Sequence, residues 1–203
     1  MKRFATATAI LAGGLLAAAP LHAQSSNRPE LVPYAGYMFF GDMLRGPVGT
    51  TLSNANGALV GAQLGLPIAG PLSLYANGSY ARSDLTIGLP ILGGIDVGET
   101  NAWMLDGGLQ LRPETDGNIA PIIQLGAGAS HYRISNALLT TESTNPVLSV
   151  GGGVDIQLSR DLGLRIMAKD HIGKFDFQEA IYANVSGRTA HNVGLVAGLR
   201  VSF

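Results

Sequence analysis

The C-terminal end of the chain alternates with a period of two. Val193, Leu195, Ala197, Leu199, Val201 and Phe203 share one phase; Asn192, Gly194, Val196, Gly198, Arg200 and Ser202 share the other. The first phase is wholly apolar, and the second is small or polar apart from Val196. A strand shows successive side chains to opposite faces, whereas a helix would scatter both sets around its axis. The pattern constrains the fold because it recurs. Leu148, Val150, Val154, Ile156 and Leu158 alternate with Ser149, Gly151, Gly153, Asp155 and Gln157, and Leu164, Ile166 and Ala168 with Arg165, Met167 and Lys169. Trp103, Leu105, Leu109 and Leu111 alternate with Met104, Asp106, Gly108, Gln110 and Arg112. Segments around Val60–Leu66, Leu72–Ala76 and Ile123–Ala129 repeat it, and an opening strand near Leu31–Phe40 puts Ala35, Tyr37 and Phe39 on the apolar face. About eight strands result.

The connections between them alternate in length. Pro67–Pro71, Pro113–Asn118 and Ser159–Leu162 are short and carry turn residues. Gly41–Asn56, Ser83–Gly98, Ile134–Asn145 and Phe175–Arg188 are long. Strict alternation of short turns and long loops is what an even-stranded membrane barrel needs when both termini lie on one side. Charged residues make up only 13% of the chain, against about 25% in soluble domains. Such strands would be poorly solvated in water, and lipid resolves the conflict. A soluble barrel has the reverse arrangement, apolar inside and charged outside.

The first residues follow another logic. Lys2 and Arg3 precede an apolar stretch with Ile10, Leu11, Leu15 and Leu16; Pro20 breaks it, and Leu21-His22-Ala23 ends on a small residue. This is a secretory signal layout over residues 1–23, with cleavage after Ala23 and a barrel over 24–203. The stretch is too short for a spanning helix, and no later segment is long enough. With no cysteine, a disulfide scaffold, a thiolate metal site and a lipid-anchored N-terminus are all excluded. A net charge of −1 gives no basis for binding nucleic acid.

The sequence resembles the outer-membrane β-barrel family of the OmpA-type transmembrane domain and OmpX-like barrels. The residues that carry the resemblance are the signal ending Leu21-His22-Ala23, the strand Pro33-Tyr34-Ala35-Gly36-Tyr37 and the final Gly198-Leu199-Arg200-Val201-Ser202-Phe203. It implies an all-β, closed antiparallel transmembrane barrel in the bacterial outer membrane. It also implies that Phe203 is an assembly signal, read through the C-terminal strand by the barrel-assembly machinery. Two features depart from the pattern. Aromatic residues are only 6% of the chain, and the alternation aims Asp170 outward.

Familiar chemical motifs fail on inspection. Gly126-Ala127-Gly128 lacks the third glycine of a dinucleotide loop, because His131 stands there, and Gly151-Gly152-Gly153-Val154-Asp155 lacks the Lys-Ser/Thr of a P-loop. His131, His171 and His191 fall near the outer strand ends, with Ser130 and Asp170 close in sequence. They read as polar rim residues, since no motif pairs a nucleophile with a base and no ligand spacing marks a metal. No cofactor, metal or catalytic residue is expected.

The informative polar set is inward. Asp106, Arg112, Asp155, Arg165, Lys169 and Arg200 all fall on the lumen phase. An eight-stranded barrel leaves room for side chains and little else, and buried charges must be paired. Counting outward from the Ser159–Leu162 turn places Asp155 close to Arg165 across the hairpin, with Arg200 on the next strand. The set reads as a plug of ion pairs, with a gated pathway as the rival. Ser83–Gly98 is unusually apolar and reads either as a hairpin extending the wall or as a hydrophobic binding surface. The expected role is a non-enzymatic structural, interaction or envelope-integrity one, for a monomer in the lipid bilayer with its loop partner unidentified. The alternative is a narrow channel or carrier for small solutes, apolar ones included. A lipid-modifying enzyme and a soluble periplasmic binding barrel stand behind these.

Overall fold

The computed structural model describes residues 28–45, 51–54, 56–89, 93–113, 115–135, 140–174 and 189–203. Residues 1–23, expected as a signal peptide, and the loop 175–188 lie outside the described residues. The strands are β1 (Glu30–Phe40), β2 (Asp42–Arg45), β3 (Thr51–Asn54), β4 (Gly57–Ala69), β5 (Leu72–Leu89), β6 (Gly93–Leu111), β7 (Ile119–Ser135), β8 (Thr140–Gln157), β9 (Leu162–Lys174) and β10 (Thr189–Ser202). Each of β1 and β4 to β10 pairs antiparallel with the next, and β10 returns to pair with β1. The result is a closed antiparallel eight-stranded barrel. β2 and β3 pair with each other, and β3 continues the ladder of β5 above β4.

Closure follows from the alternation. In lipid every backbone polar group must find a partner in the protein, and only a sheet without edges achieves this with strands. The β1–β10 seam extends to the turn end, where Phe203 N–H donates to the Pro29 carbonyl at 3.0 Å. Ser202 N–H donates to the Asp161 carbonyl at 2.9 Å on the β9 side. The Pro67–Pro71 turn passes through Gly70 at a φ of 50°, a left-handed conformation that glycine adopts without a Cβ penalty.

Burial alternates as the pattern requires. Leu105, Leu125, Leu148, Leu195 and Leu199 are exposed on the outer wall, whereas Asp106, Gln124, Ser149 and Val196 are buried inside. In water such a wall would be an unstable surface; in a bilayer it is the lipid-facing band. Tyr80 packs on Trp103 with ring centroids 4.6 Å apart, and the exposed pairs Arg82–Glu99 and Arg133–Glu142 lie beyond them toward the strand tips. This order of aromatics then charges marks the upper edge of the band.

Three connections read as long loops are largely strand. The β5–β6 ladder runs to Leu89 opposite Gly93, and the β7–β8 ladder to Ser135 opposite Thr140. Gly41–Asn56 contains β2 and β3. A bilayer needs about 9–11 residues of tilted strand, yet β5, β6, β7 and β8 have 18, 19, 17 and 18. These four therefore rise well above the band, while β1, at 11 residues, barely crosses it. Of the two readings of Ser83–Gly98, the backbone adopts the hairpin that extends the wall.

Candidate functional site

The lumen holds two hydrogen-bonded clusters. Near the turn end, Asp155 on β8 and Arg165 on β9 are register partners. Arg165 Nε donates to Asp155 Oδ1 at 2.7 Å, and its Nη2 to Oδ2 at 2.8 Å. Nη2 also reaches Glu30 Oε1 at 2.6 Å, on β1. Arg112, just beyond β6, donates from Nη1 to Glu30 Oε2 at 2.7 Å and to Asp155 Oδ2 at 3.0 Å. β6 lies three strands from β1 around the eight-stranded wall, so the Arg112–Glu30 pair reaches across the lumen. Arg165, Glu30 and Asp155 side chains are at most 4% exposed. Their charges are tolerable because nearly every polar atom has a charged partner.

Above this, three buried glutamines meet. Gln63 Nε2 donates to Gln110 Oε1 at 3.0 Å, and Gln124 Nε2 donates to Gln110 Oε1 at 2.9 Å and to Gln63 Oε1 at 3.0 Å. Gln110 Nε2 in turn donates to Glu30 at 3.1 Å. The amides come from β4, β6 and β7 and span the lumen with neutral groups.

The second cluster surrounds Asp106, whose side chain is fully buried. Its carboxylate accepts from Asn77 Nδ2 at 2.7 Å, Ser149 Oγ at 3.0 Å, Lys169 Nζ at 3.0 Å and His171 Nε2 at 3.2 Å. Because Ser149 donates to Asp106, the Tyr75 hydroxyl is the donor in the 2.9 Å Tyr75–Ser149 bond. Lys169 Nζ also lies 4.4 Å from the Tyr75 ring centroid. Toward the strand tips the interior turns apolar. Met38, Phe40, Leu59, Ala102, Met104 and Tyr132 pack as one buried cluster. The expectation of a small or polar inner face therefore holds at the turn end, and the tip end departs from it.

The six charges on the inward phase separate by height. Arg112, Asp155, Arg165 and Arg200 belong to the lower cluster, and Asp106 and Lys169 to the upper. Glu30 is the charge the sequence reading missed. It stands one residue before the expected start of the first strand, yet the phase of Val32, Tyr34 and Met38 extended back by two includes it. His171 was placed on the rim and instead points into the lumen, on the phase of Arg165 and Lys169.

The rim histidines do not converge. His131 Nδ1 meets Thr144 Oγ1 at 2.8 Å and His191 Nδ1 meets Asp170 Oδ2 at 2.7 Å, both on the outer wall. Ser130 is buried and bonds the Asn145 carbonyl at 3.5 Å. Among the described residues no group of His, Asp and Glu is placed to hold a metal ion. Gly126, the start of the failed nucleotide motif, has a packing role: a Cβ there would run into the Tyr75 hydroxyl and the Gly107 carbonyl.

No family model matches the chain, and no curated protein sequence matches it. Solved structures do. Neisserial surface protein A (NspA) matches with a TM-score of 0.60 and 14% identity, over 88% of this chain and 98% of that one. The outer membrane protein OprG from Pseudomonas aeruginosa matches with a TM-score of 0.64 and 11% identity, over 90% and 99%. This chain has the fold of the small outer-membrane β-barrels. AlkL, an outer membrane protein solved in lipid bilayers, matches with a TM-score of 0.53 and 12% identity, over 92% and 95%. At these identities the likeness is one of fold. The barrel supports varied roles, so function has to be argued from the lumen and the walls.

Proposed function

We propose that this chain is a bacterial outer-membrane protein whose sealed barrel has a non-enzymatic structural or interaction role in the cell envelope. The observation that carries the reading is the pair of buried clusters crossing the lumen. Opening a path would separate Arg165 from Glu30 and Asp155, and breaking a buried pair costs about 3–5 kcal/mol. The outer wall suits lipid, and the strand ends beyond it, on β5 to β8, offer an extended paired surface to a partner outside the cell. The short turns and both described ends of the chain then face the periplasm.

A catalytic role finds no support in the Asp106 cluster. Ser149 gives its proton toward a carboxylate, and His171 uses Nε2 on that same carboxylate rather than on Ser149. A serine nucleophile needs the opposite arrangement, with its proton accepted by the imidazole. Phe203 directly follows β10, on the apolar phase, and is exposed, where the assembly machinery can reach it. The location is tested by fractionation. The protein should stay with salt-washed outer membranes and migrate faster unboiled than boiled on a gel. Recovery in the soluble periplasmic fraction would overturn the reading.

A further inference from the structure

The lower cluster holds three arginines and two carboxylates, and the carboxylates are already taken. Arg112 and Arg165 together occupy all four oxygens of Glu30 and Asp155. Arg200, on β10, is left with neutral partners, the Gln157 side-chain carbonyl and Ser202 Oγ. Its nearest carboxylate oxygens are Asp155 Oδ2 at 3.7 Å and Glu30 Oε2 at 3.8 Å, beyond hydrogen-bond range. Its Nε has no hydrogen-bond partner, and its side chain is only 6% exposed. A buried guanidinium that shares its carboxylates with two other arginines and hydrogen-bonds to neither is costly.

Arg200 borders a cavity of about 510 Å³ that opens at the turn end. Arg28, Arg112 and Arg160 line it too, and Asp155 is its acidic lining residue. Arg28 is neutralised by Asp161, and Asp116 is exposed on a turn beside the cavity. Among the described residues, the lining and the cluster beneath it carry five arginines, against Glu30 and Asp155 within and Asp161 and Asp116 beside them. Guanidinium forks match the oxygens of phosphate and carboxylate, and charge-assisted bonds to them are the strong ones.

We infer that this cavity is a binding site for a phosphate-sized oxyanion, with Arg200 as the group it neutralises and Arg112 and Arg160 at its edge. The inference rests on the proposed membrane reading only for the side of entry, which is the periplasm. The oxyanion is either a free phosphate compound or the headgroup phosphate of an inner-leaflet lipid, and the two share the chemistry that the arginines recognise.

The test uses the full chain folded in a maltoside detergent, with the arginine Nε–H signals followed by NMR during titration with inorganic phosphate. A saturable shift of the Arg200 signal is expected, absent with equal chloride. R200Q should abolish saturation at neighbouring Arg112 while leaving two arginines against two carboxylates, so the variant should still fold. R160Q, on the exposed edge, should weaken binding by about threefold, as expected for a partly solvated charge. A second titration with short-chain phosphatidylglycerol separates the sources, since tighter saturation by the lipid assigns a headgroup and by phosphate a soluble compound. No saturable shift, or one unchanged in R200Q, would overturn the inference. A folded barrel that binds no phosphate would leave the proposed envelope role standing.

Discussion

Asp155 tests the lumen most sharply. It accepts three charge-assisted bonds, two from Arg165 and one from Arg112, with its side chain 3% exposed. Asp155→Ala leaves Arg112, Arg165 and Arg200 facing Glu30 alone. Removing one member of a buried pair costs about 3–5 kcal/mol, mostly because the other charge is left behind. Adding Arg165→Met restores the wild-type excess of one positive charge and fills much of the same volume. The double variant should therefore be more stable than Asp155→Ala alone, with a coupling energy of about 1–3 kcal/mol. Denaturant unfolding in lipid vesicles gives the four stabilities. Trp103, the only tryptophan in the chain, sits on the outer wall and reports insertion. Strictly additive losses would refute the pairing argument, since each side chain would then contribute independently.

Two further outcomes follow from the geometry. Gly126→Ala should cost about 1–3 kcal/mol in the same unfolding assay by overpacking against the Tyr75 ring and the Gly107 carbonyl, and an unchanged stability would mean that both ring and backbone give way. Deleting Phe203 should lower the amount of protein in the outer membrane and raise periplasmic degradation, while the purified variant still folds in detergent; normal outer-membrane levels would remove its assembly role.

The strand phases were legible because lipid outside and packed side chains inside impose opposite demands on alternate residues. The Asp155–Arg165 pair was legible for a local reason: the Ser159–Leu162 turn sets the register of the hairpin on which both stand. What lies across the axis was not. Glu30 and Arg112 come from strands three apart around the barrel, and their meeting depends on closure and side-chain reach rather than on any spacing. The same holds for Gln63, Gln110 and Gln124, each an ordinary polar residue in its own strand. For Ser83–Gly98, where Leu85, Ile87 and Leu89 keep alternating, the hairpin was one of two readings; Ile134–Asn145 was misread as a loop because its strand ends leave the membrane. Above it the lipid no longer enforces an apolar outer face, so the pattern weakens while the backbone ladder continues. His171 was missed because only its distance from the turn was counted and not its phase.

The claim that the clusters seal the barrel is tested most directly by the conductance of the purified wild-type protein in a planar bilayer at neutral pH. No steady channel above baseline is expected, because Glu30, Asp155, Arg165, the three glutamines and Asp106 together cross the lumen at successive heights. A reproducible, weakly selective open pore would contradict the seal and turn the same charged groups into the lining of a pathway.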